Sequence, residues 1–333
     1  MQKYSIIMPL RNGGAYLKEC INSILLQTYT DFNIIILDNL STDGSVEWLR
    51  SLNNDKIVIH TSSESLNIEQ NWKRVLSVEK NEFITLIGHD DILLPNYLET
   101  IHALTIAFPA ASLFQTHFDY IDHAGRKIRK CKPMPEIESA PELLSSFLLN
   151  NLDLMGTGFM MRSADYDRLG GIPDYPNLLF ADLEIFMELT KQSFKVTSPA
   201  TTFAFRIHQS TTTVSPDIKF FHALGRVVTY MNTLKSESMF AEVIQKHGAT
   251  FLMRNCKALS HRLLRAPVAS RQGLNVRKII DKCKEYAGVL IPGTNFSPES
   301  NPSILMALII DSSKFSRRLF LRFKRRFKKP LLK

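Results

Sequence analysis

Residues 5–49 read SIIMPLRNGGAYLKECINSILLQTYTDFNIIILDNLSTDGSVEWL, and this stretch decides the fold. An apolar run at 4–10 is followed by residues 15–27, whose apolar side chains recur at helical spacing. A second, nearly continuous apolar run comes at 33–38, which is typical of a strand covered on both faces. Residues 41–43 then supply the Ser, Thr and Asp that commonly start a helix. The alternation predicts an α/β protein with a mostly parallel sheet flanked by helices.

The same alternation continues beyond this stretch. Strand-like segments at 56–60, 82–88 and 154–162 are interspersed with helical patterns at 68–78 and 95–108. In sheets of this kind ligands bind beyond the carboxyl ends of the strands. The polar residues that follow the strands are Arg11, Asn12, Asp38, Asp90 and Asp91. We therefore expect a binding site at that edge of the sheet.

The cysteines and the hydropathy pattern bear on the compartment. The four cysteines of the 333-residue chain are scattered without a Cys-x-x-Cys pair, so neither a zinc ribbon nor a disulfide framework is indicated. The apolar run near the N-terminus is too short for a secretory signal. No run approaches the roughly 18 apolar residues of a membrane-spanning helix. These features predict a cytoplasmic protein.

The positive charge is concentrated at the end of the sequence. The formal net charge is +9, and residues 314–333 hold ten Lys or Arg and no acid, so the preceding part is nearly neutral. The basic pI therefore describes a tail and does not indicate a nucleic-acid surface. The apolar residues of this tail at steps of four are Phe315, Leu319, Phe323 and Phe327. The pattern predicts a basic amphipathic helix on an anionic membrane surface, with a solvated charged tail or a nucleic-acid arm as the alternatives.

Two adjacent aspartates interrupt an apolar run in LIGHDDILLP, residues 86–95. On an extended segment successive side chains point in opposite directions, so Asp90 and Asp91 can serve two different partners. Carboxylate oxygens are the ligands that Mg²⁺ and Mn²⁺ prefer. The alternative is that Asp91 caps a helix beginning near Pro95 while Asp90 is solvated. Asp38, considered alone, is typical of a turn.

The order and spacing of these pieces resemble the family 2 glycosyltransferases of the GT-A fold. The opening at 5–49 is similar to that family's opening almost throughout. The other similar elements are SLNIEQNWKRVL (65–76), LIGHDDILLP (86–95), MGTGFMMR (155–162), LGGIP (169–173), FADLEIFMEL (180–189) and FRIH (205–208). The resemblance covers roughly residues 4–213.

This resemblance implies a nucleotide site in the first half of the chain. Pro9 and Arg11 would line the base pocket, and Asp38 would accept a hydrogen bond from the base, typically uracil. Asn67 would border the nucleotide, and Asp90 would bind the ribose.

The resemblance also implies a metal site and a general base. Asp91 would coordinate a divalent metal, Mn²⁺ or Mg²⁺, and His208 would contact the metal or the diphosphate. Asp182 matches the base that deprotonates the acceptor hydroxyl. The residues implied near the donor and acceptor sugars are Gly156, Thr157 and Gly158.

Three positions depart from the family pattern. Gly88 stands where a further carboxylate often occurs, which weakens the expected metal site. Asn67 stands where the family usually has Gly, and Asn tolerates a positive φ, so the turn can survive. Ala181 replaces a frequent Glu and removes a like charge beside Asp182.

The predicted function is transfer of a sugar, with inversion, from a UDP- or dTDP-linked donor to a hydroxyl of a glycan or lipid-linked acceptor in surface polysaccharide synthesis. The alternatives are a sugar-phosphate nucleotidyltransferase and a non-catalytic nucleotide-sugar binding protein of the same fold. No nucleic acid partner is expected. The predicted organisation is a GT-A domain at 1–215, a helical region at 216–312 and a membrane-associating tail at 313–333 on the inner face of the cytoplasmic membrane.

Overall fold

The computed structural model of the chain describes residues 3–207 and 218–326. The chain packs into two compact units. The first unit comprises Met1–Leu143 and Leu152–His208, and the second comprises Leu144–Asn151 and Gln209–Lys333.

The first unit is built on one mixed sheet, to which ten strands contribute among the described residues. These strands are β1 (Tyr4–Leu10), β2 (Phe32–Asp38), β3 (Ile57–Thr61), β4 (Phe83–Leu86), β5 (Ile92–Leu93), β6 (Leu113–Ile121), β7 (Lys127–Lys130), β8 (Ile137–Glu138), β9 (Phe159–Arg162) and β10 (Lys195–Arg206). Their spatial order is β3-β2-β1-β4-β9-β6-β10-β5, with β7 beside β6 and β8 beside β10. All seven residues of β1 are buried, as expected of a strand covered on both faces.

The parallel part of the sheet lies where the sequence predicts it. Strands β3, β2, β1 and β4 pair in parallel, and β10 pairs in parallel with β6. Strands β5, β7, β8 and β9 are antiparallel to their neighbours and add short antiparallel pairings to a sheet whose longer pairings are parallel. The amino end of β9 therefore lies beside the carboxyl end of β4.

Helices connect these strands. Those that begin in the first unit are α1 (Gly14–Leu25), α2 (Ser45–Ser51), α3 (Ile68–Lys73), α4 (Tyr97–Ala107), α5 (Ala140–Leu148), α6 (Ser163–Arg168) and α7 (Ala181–Thr190). Helix α4 packs against β6 and β10, and its buried residues include Leu98 and Ile101. Helix α3 is shorter than predicted, because the chain tightens into a 3₁₀ turn at Arg74–Ser77.

The strand predicted at 154–162 begins only at Phe159. Gly158 has φ +74, a left-handed conformation that breaks the extended run. A Cβ at this position would lie 2.6 Å from the ring of Phe203 in β10. The residues before β9 therefore form a loop beside the end of β4, where Gly158 N–H donates to the Leu86 carbonyl at 3.0 Å.

The second unit is helical in its described part. Its helices are α8 (Lys219–Leu234), α9 (Ser238–Arg265), α10 (Val276–Leu290), α11 (Pro302–Asp311) and α12 (Lys314–Arg326). Helix α9 packs against α8, α10 and α11, and Arg254 on it donates to the Phe147 and Leu148 carbonyls at the end of α5. Among residues 3–207 and 218–326, no helix is long and apolar enough to cross a membrane.

Candidate active site

The carboxyl ends of β1 and β2 lie side by side and hold the first part of the site. Leu10 is opposite Asp38 in the parallel register. The Asp38 carboxylate is 1% exposed, and its Oδ1 accepts from the Ser41 N–H at 3.1 Å. Its Oδ2 has no hydrogen-bond partner among the described residues. A buried acceptor without a donor is costly, so this oxygen is suited to accept a hydrogen bond from a ligand.

The segment before α3 is hydrogen-bonded to the residues that follow β1 and β2. Asn39 exchanges two hydrogen bonds of 2.8 Å with the backbone of Leu66. Arg11 donates to the same Leu66 carbonyl at 3.4 Å, and Arg74 donates to the Asp38 carbonyl at 2.8 Å. Arg11 therefore contacts the same segment as Asn39, whereas Pro9 is buried within β1 opposite Leu37.

The loops after β1 and β2 are locked together. Asn12, at φ +52, accepts from the Thr42 N–H at 2.8 Å and donates its own N–H to Ser41 at 2.9 Å. The Gly14 N–H donates to Asp43 at 2.9 Å. Residues that look like separate turns and helix caps in the sequence thus form one hydrogen-bonded pair of loops.

Asn67 adopts a different backbone conformation from the one expected. Its φ is −74°, so the turn does not use the positive φ that Asn tolerates. Instead Asn67 caps α3, because its side chain accepts from the Gln70 N–H at 2.8 Å and Gln70 accepts from the Asn67 N–H at 3.0 Å. Asn67 thus fixes the start of α3 by capping it.

The second part of the site is the aspartate pair between β4 and β5. Asp91 is 1% exposed, and its two oxygens accept from the Thr157 hydroxyl at 2.8 Å and from the Arg206 N–H at 3.1 Å. Burial, together with the charge of Asp90, raises the pKa of Asp91 well above its usual range. Asp90 is only partly buried. The two residues therefore differ in burial, since Asp91 is interior and Asp90 is partly exposed.

Arg206 is the residue that sequence reasoning undervalued. Its guanidinium is buried, donates to the Asp90 carbonyl at 2.8 Å and to the Asp122 carbonyl at 3.2 Å, and pairs with Glu19 at 2.6 Å. It also stacks over the ring of Tyr16, 4.6 Å from the centroid. The sequence places Arg206 in the FRIH element at the end of an apolar strand, but the role implied there falls to His208. The contacts show that it ties the aspartate loop to α1 and to the β6–β7 turn.

Gly88 has a local explanation in the geometry. A Cβ at this position would lie 2.6 Å from Asp90 Oδ1 and 3.1 Å from Asp91 Oδ2. The Asp90 carboxylate thus occupies the space into which a side chain at position 88 would project.

The loop before β9 contributes its three predicted residues unequally. Thr157 is buried and holds Asp91 through its hydroxyl. Gly158 is required by its φ and by its approach to Phe203. Gly156 is partly exposed, and a Cβ there would meet nothing within 4 Å.

Asp182 lies in the first turn of α7. Burial raises its pKa to about 6, against the lowering effect of the Leu183 N–H that donates to it at 2.9 Å. The preceding loop is strained, because Leu178 and Phe180 have φ values of +57° and +71°. The Asn177 N–H donates to Glu69 at 2.7 Å, which anchors this loop to α3.

The predicted metal ligand His208 lies outside the described residues. Within residues 3–207 and 218–326, no group of three or more His, Cys, Asp or Glu side chains is placed to hold a metal ion.

The mixed sheet, with its loops after β1 and β2 and its aspartate pair after β4, has the GT-A fold, as the sequence predicts. Residues 5–170 match the model of the Glycosyl transferase family 2. The chain belongs to this family, which confirms the resemblance seen in the sequence.

The relatives support the same assignment. The chain is 32% identical over 124 residues to Glycosyltransferase GlyG of Streptococcus pneumoniae, a match of 36% of this chain and 41% of that protein. It is 29% identical over 107 residues to the uncharacterized glycosyltransferase YibD of Escherichia coli, covering 31% of this chain and 30% of the relative. The chain thus spans less than half the length of these relatives.

Solved structures show the fold. The structure of S. aureus TarS 1–349 in complex with UDP superposes with a TM-score of 0.57 at 15% identity, covering 98% of this chain and 93% of that one. The mannosyltransferase PcManGT of Pyrobaculum calidifontis, in complex with GDP-Man and Mn²⁺, gives a TM-score of 0.52 at 14% identity, with 99% and 88% covered.

Proposed function

We propose that this protein transfers a sugar from a nucleotide-sugar donor to a hydroxyl of an acceptor, with inversion at the anomeric carbon. Family membership supports the reaction class. The observation that carries the donor site is the buried Asp38 carboxylate with an oxygen that lacks a partner. Arg11 and Asn39, which follow β1 and β2, both donate to the Leu66 carbonyl.

The partnerless oxygen of Asp38 bears on the choice of donor nucleotide. A carboxylate oxygen accepts hydrogen bonds, so it selects a base that presents an N–H at its edge. Uracil and thymine present an imide N–H to such an oxygen, as guanine presents its own N–H groups, so the carboxylate fits a UDP- or dTDP-linked sugar and the preference over a GDP-linked one rests on the family resemblance. The bound UDP of the TarS complex is consistent with this choice.

A divalent metal, Mn²⁺ or Mg²⁺, is part of the proposal, and carboxylate oxygens suit it. When bound, it would neutralise the charge of the departing diphosphate. The family resemblance assigns this ligand role to Asp91 and ribose binding to Asp90. Asp91 is held in place by the Thr157 hydroxyl and the Arg206 N–H, and Asp90 beside it is partly exposed. The role of His208 stays a prediction.

Asp182 is the proposed general base. A base with a pKa near 6 is deprotonated at neutral pH and can still accept a proton from a hydroxyl. Inversion requires a single displacement, so one base is sufficient and no covalent nucleophile is needed. The proposed acceptor is a growing surface polysaccharide or its lipid-linked precursor, reached from the cytoplasmic face of the membrane.

Donor binding tests the proposal at its main support. Titration calorimetry with UDP, dTDP and CDP in the presence of Mn²⁺ should show preference for UDP or dTDP. Asp38→Asn should weaken UDP binding by roughly 10- to 100-fold, because a hydrogen bond to a charged acceptor is lost. Asp43→Asn is the matched control, because Asp43 lies in the loop after β2 and both of its carboxylate oxygens accept from backbone N–H groups. Equal UDP affinity in Asp38→Asn and the parent would refute the donor site.

A second candidate is a nucleotide-sugar binding protein without turnover, and Gly88 favours it. The position offers no third carboxylate, and Asp90 fills the space where one would project. Saturable donor binding without UDP release, with every acceptor and metal tried, would favour this candidate.

A further inference from the structure

The last two described helices leave large apolar side chains in solvent. The exposed fractions of these side chains run from 44 to 71%. The residues are Leu305, Met306 and Ile309 on α11, and Phe315, Leu319 and Phe323 on α12. Single exposed apolar residues are common, but six within 19 residues of chain form a concentrated set.

On α11 the exposed residues share one face. Met306 and Ile309 are three residues apart, and Leu305 and Ile309 are four apart, so their side chains are neighbours on the helix surface. Ile304 and Ala307 are fully buried on the opposite side, where α11 packs against α9. The helix is therefore anchored by one apolar face and presents a second one outward.

On α12 the exposed apolar residues recur at steps of four and are accompanied by cations. Lys314, Arg318 and Arg322 are all exposed on this helix. From Pro302 to Arg326 the sequence holds one acid, Asp311, and its carboxylate is engaged by Arg271 at 2.6 Å and by the Val276 N–H at 2.9 Å. The charge that this segment presents to solvent is thus positive.

Both helices are fixed to the second unit. The Asp311–Arg271 pair joins the end of α11 to the segment before α10. Arg317 of α12 donates to the Ala266 carbonyl, after α9, at 2.9 Å. Both sets of exposed side chains therefore belong to a packed unit, and the set on α11 lies outside the basic tail that the sequence alone indicates.

We propose that α11 and α12 together form a docking surface for an anionic lipid bilayer. The docking surface consists of the six exposed apolar residues and of Lys314, Arg318 and Arg322. Apolar side chains would enter the boundary between headgroups and acyl chains, while the cations contact anionic headgroups. Charge complementarity selects this occupant over a second copy of the chain, because two such surfaces would repel each other. The inference does not depend on the proposed transfer reaction.

Sedimentation with vesicles tests the docking surface. The full chain should sediment with vesicles of phosphatidylcholine and phosphatidylglycerol, and much less with phosphatidylcholine alone, at about 0.15 M salt. The double variant Met306→Ser/Ile309→Ser should lower the partition coefficient roughly tenfold, because apolar area on α11 no longer enters the bilayer. Leu26→Ser/Ile106→Ser, two exposed apolar residues of the first unit, is the matched control and should bind as the parent does.

A charge series separates the electrostatic part. Arg318→Gln/Arg322→Gln should weaken binding to the anionic vesicles at least tenfold. Lys246→Gln/Lys257→Gln removes the same charge from exposed positions of α9 and should change binding little. Circular dichroism and thermal unfolding check that each variant folds, and UDP binding measured on the same samples keeps this test separate from the proposed function.

Three outcomes would overturn the inference. The first is a parent chain that fails to sediment with anionic vesicles. The second is a folded α11 double variant that binds as tightly as the parent, which would leave α12 as the whole surface. The third is a concentration-dependent dimer, seen by light scattering and abolished by the α11 variant, which would make this face a self-association surface.

Discussion

Asp182 lies at the start of α7, where its pKa is raised and the loop before it has a strained backbone. Its pKa of about 6 arises mainly from burial. If Asp182 is the base, the deprotonated form is active, so kcat/KM should fall as the pH drops through about 6 and be level above it. Initial rates between pH 5 and 8 check this, with donor affinity measured at each pH so that binding is separated from the chemical step. A rate that stays level from pH 8 down to pH 5 would contradict the assignment.

The same shift predicts an effect on stability. The folded-state pKa lies above the unfolded value of about 3.9, so the folded state binds more protons between these values and loses stability as the pH rises through that window. The Asp182 carboxylate therefore costs stability at neutral pH. Asp182→Asn should raise the free energy of unfolding by about 1–2 kcal/mol at pH 7 and change it little below pH 4. Urea denaturation at both pH values measures this, and a variant less stable at pH 7 would contradict it.

At the scale of elements, the aspartate loop depends on β10 and on the loop before β9. Arg206 donates to the Asp90 carbonyl and Thr157 donates to Asp91, so two separate elements hold this loop. Neither contact is local, since Arg206 is 116 positions from Asp90 and Thr157 is 66 positions from Asp91 in the sequence.

Arg206 can be tested as a positioning residue. Arg206→Lys keeps the charge but cannot reproduce the forked donors, so it should cost about 2–4 kcal/mol of stability and weaken donor binding in Mn²⁺. Arg162→Lys is the matched control, because Arg162 lies on β9 and donates to the Ala111 carbonyl. The control should lose stability while it retains donor affinity. If both variants bind donor like the parent, Arg206 serves the fold alone.

The sequence predicts the N-terminal elements well, and the reasons are physical. Strand β1 has the predicted bounds 4–10, and β2 begins one residue early, because buried strands give continuous apolar runs. Residues whose conformations depend on contacts with distant parts of the sequence could not be predicted from apolar runs. Asn67 is expected to tolerate a positive φ, but a capping box with Gln70 holds it extended. Gly158 delays the start of the predicted strand to Phe159, because its backbone packs against a ring in a distant strand.

At the scale of the whole molecule, the chain pairs a family 2 glycosyltransferase fold with a helical unit. The family match covers residues 5–170, and the sheet of the first unit supplies both parts of the candidate site. The second unit carries the proposed docking surface. Sequence order was sufficient to place Asp38 and the aspartate pair beyond the carboxyl ends of the strands. The different environments of Asp90 and Asp91 required the structure, because adjacent identical residues give no signal of which one is interior.

The central claim is that this site transfers a sugar with Asp182 as the base. The most direct measurement is release of UDP or dTDP from a panel of nucleotide-sugars with Mn²⁺, with and without glycan acceptors, in the parent and in Asp182→Asn. We expect acceptor-dependent release in the parent and a loss of roughly 10²- to 10⁴-fold in the variant, with donor affinity retained. Equal turnover in the parent and Asp182→Asn, or donor binding in the parent with no release under any condition, would contradict the claim.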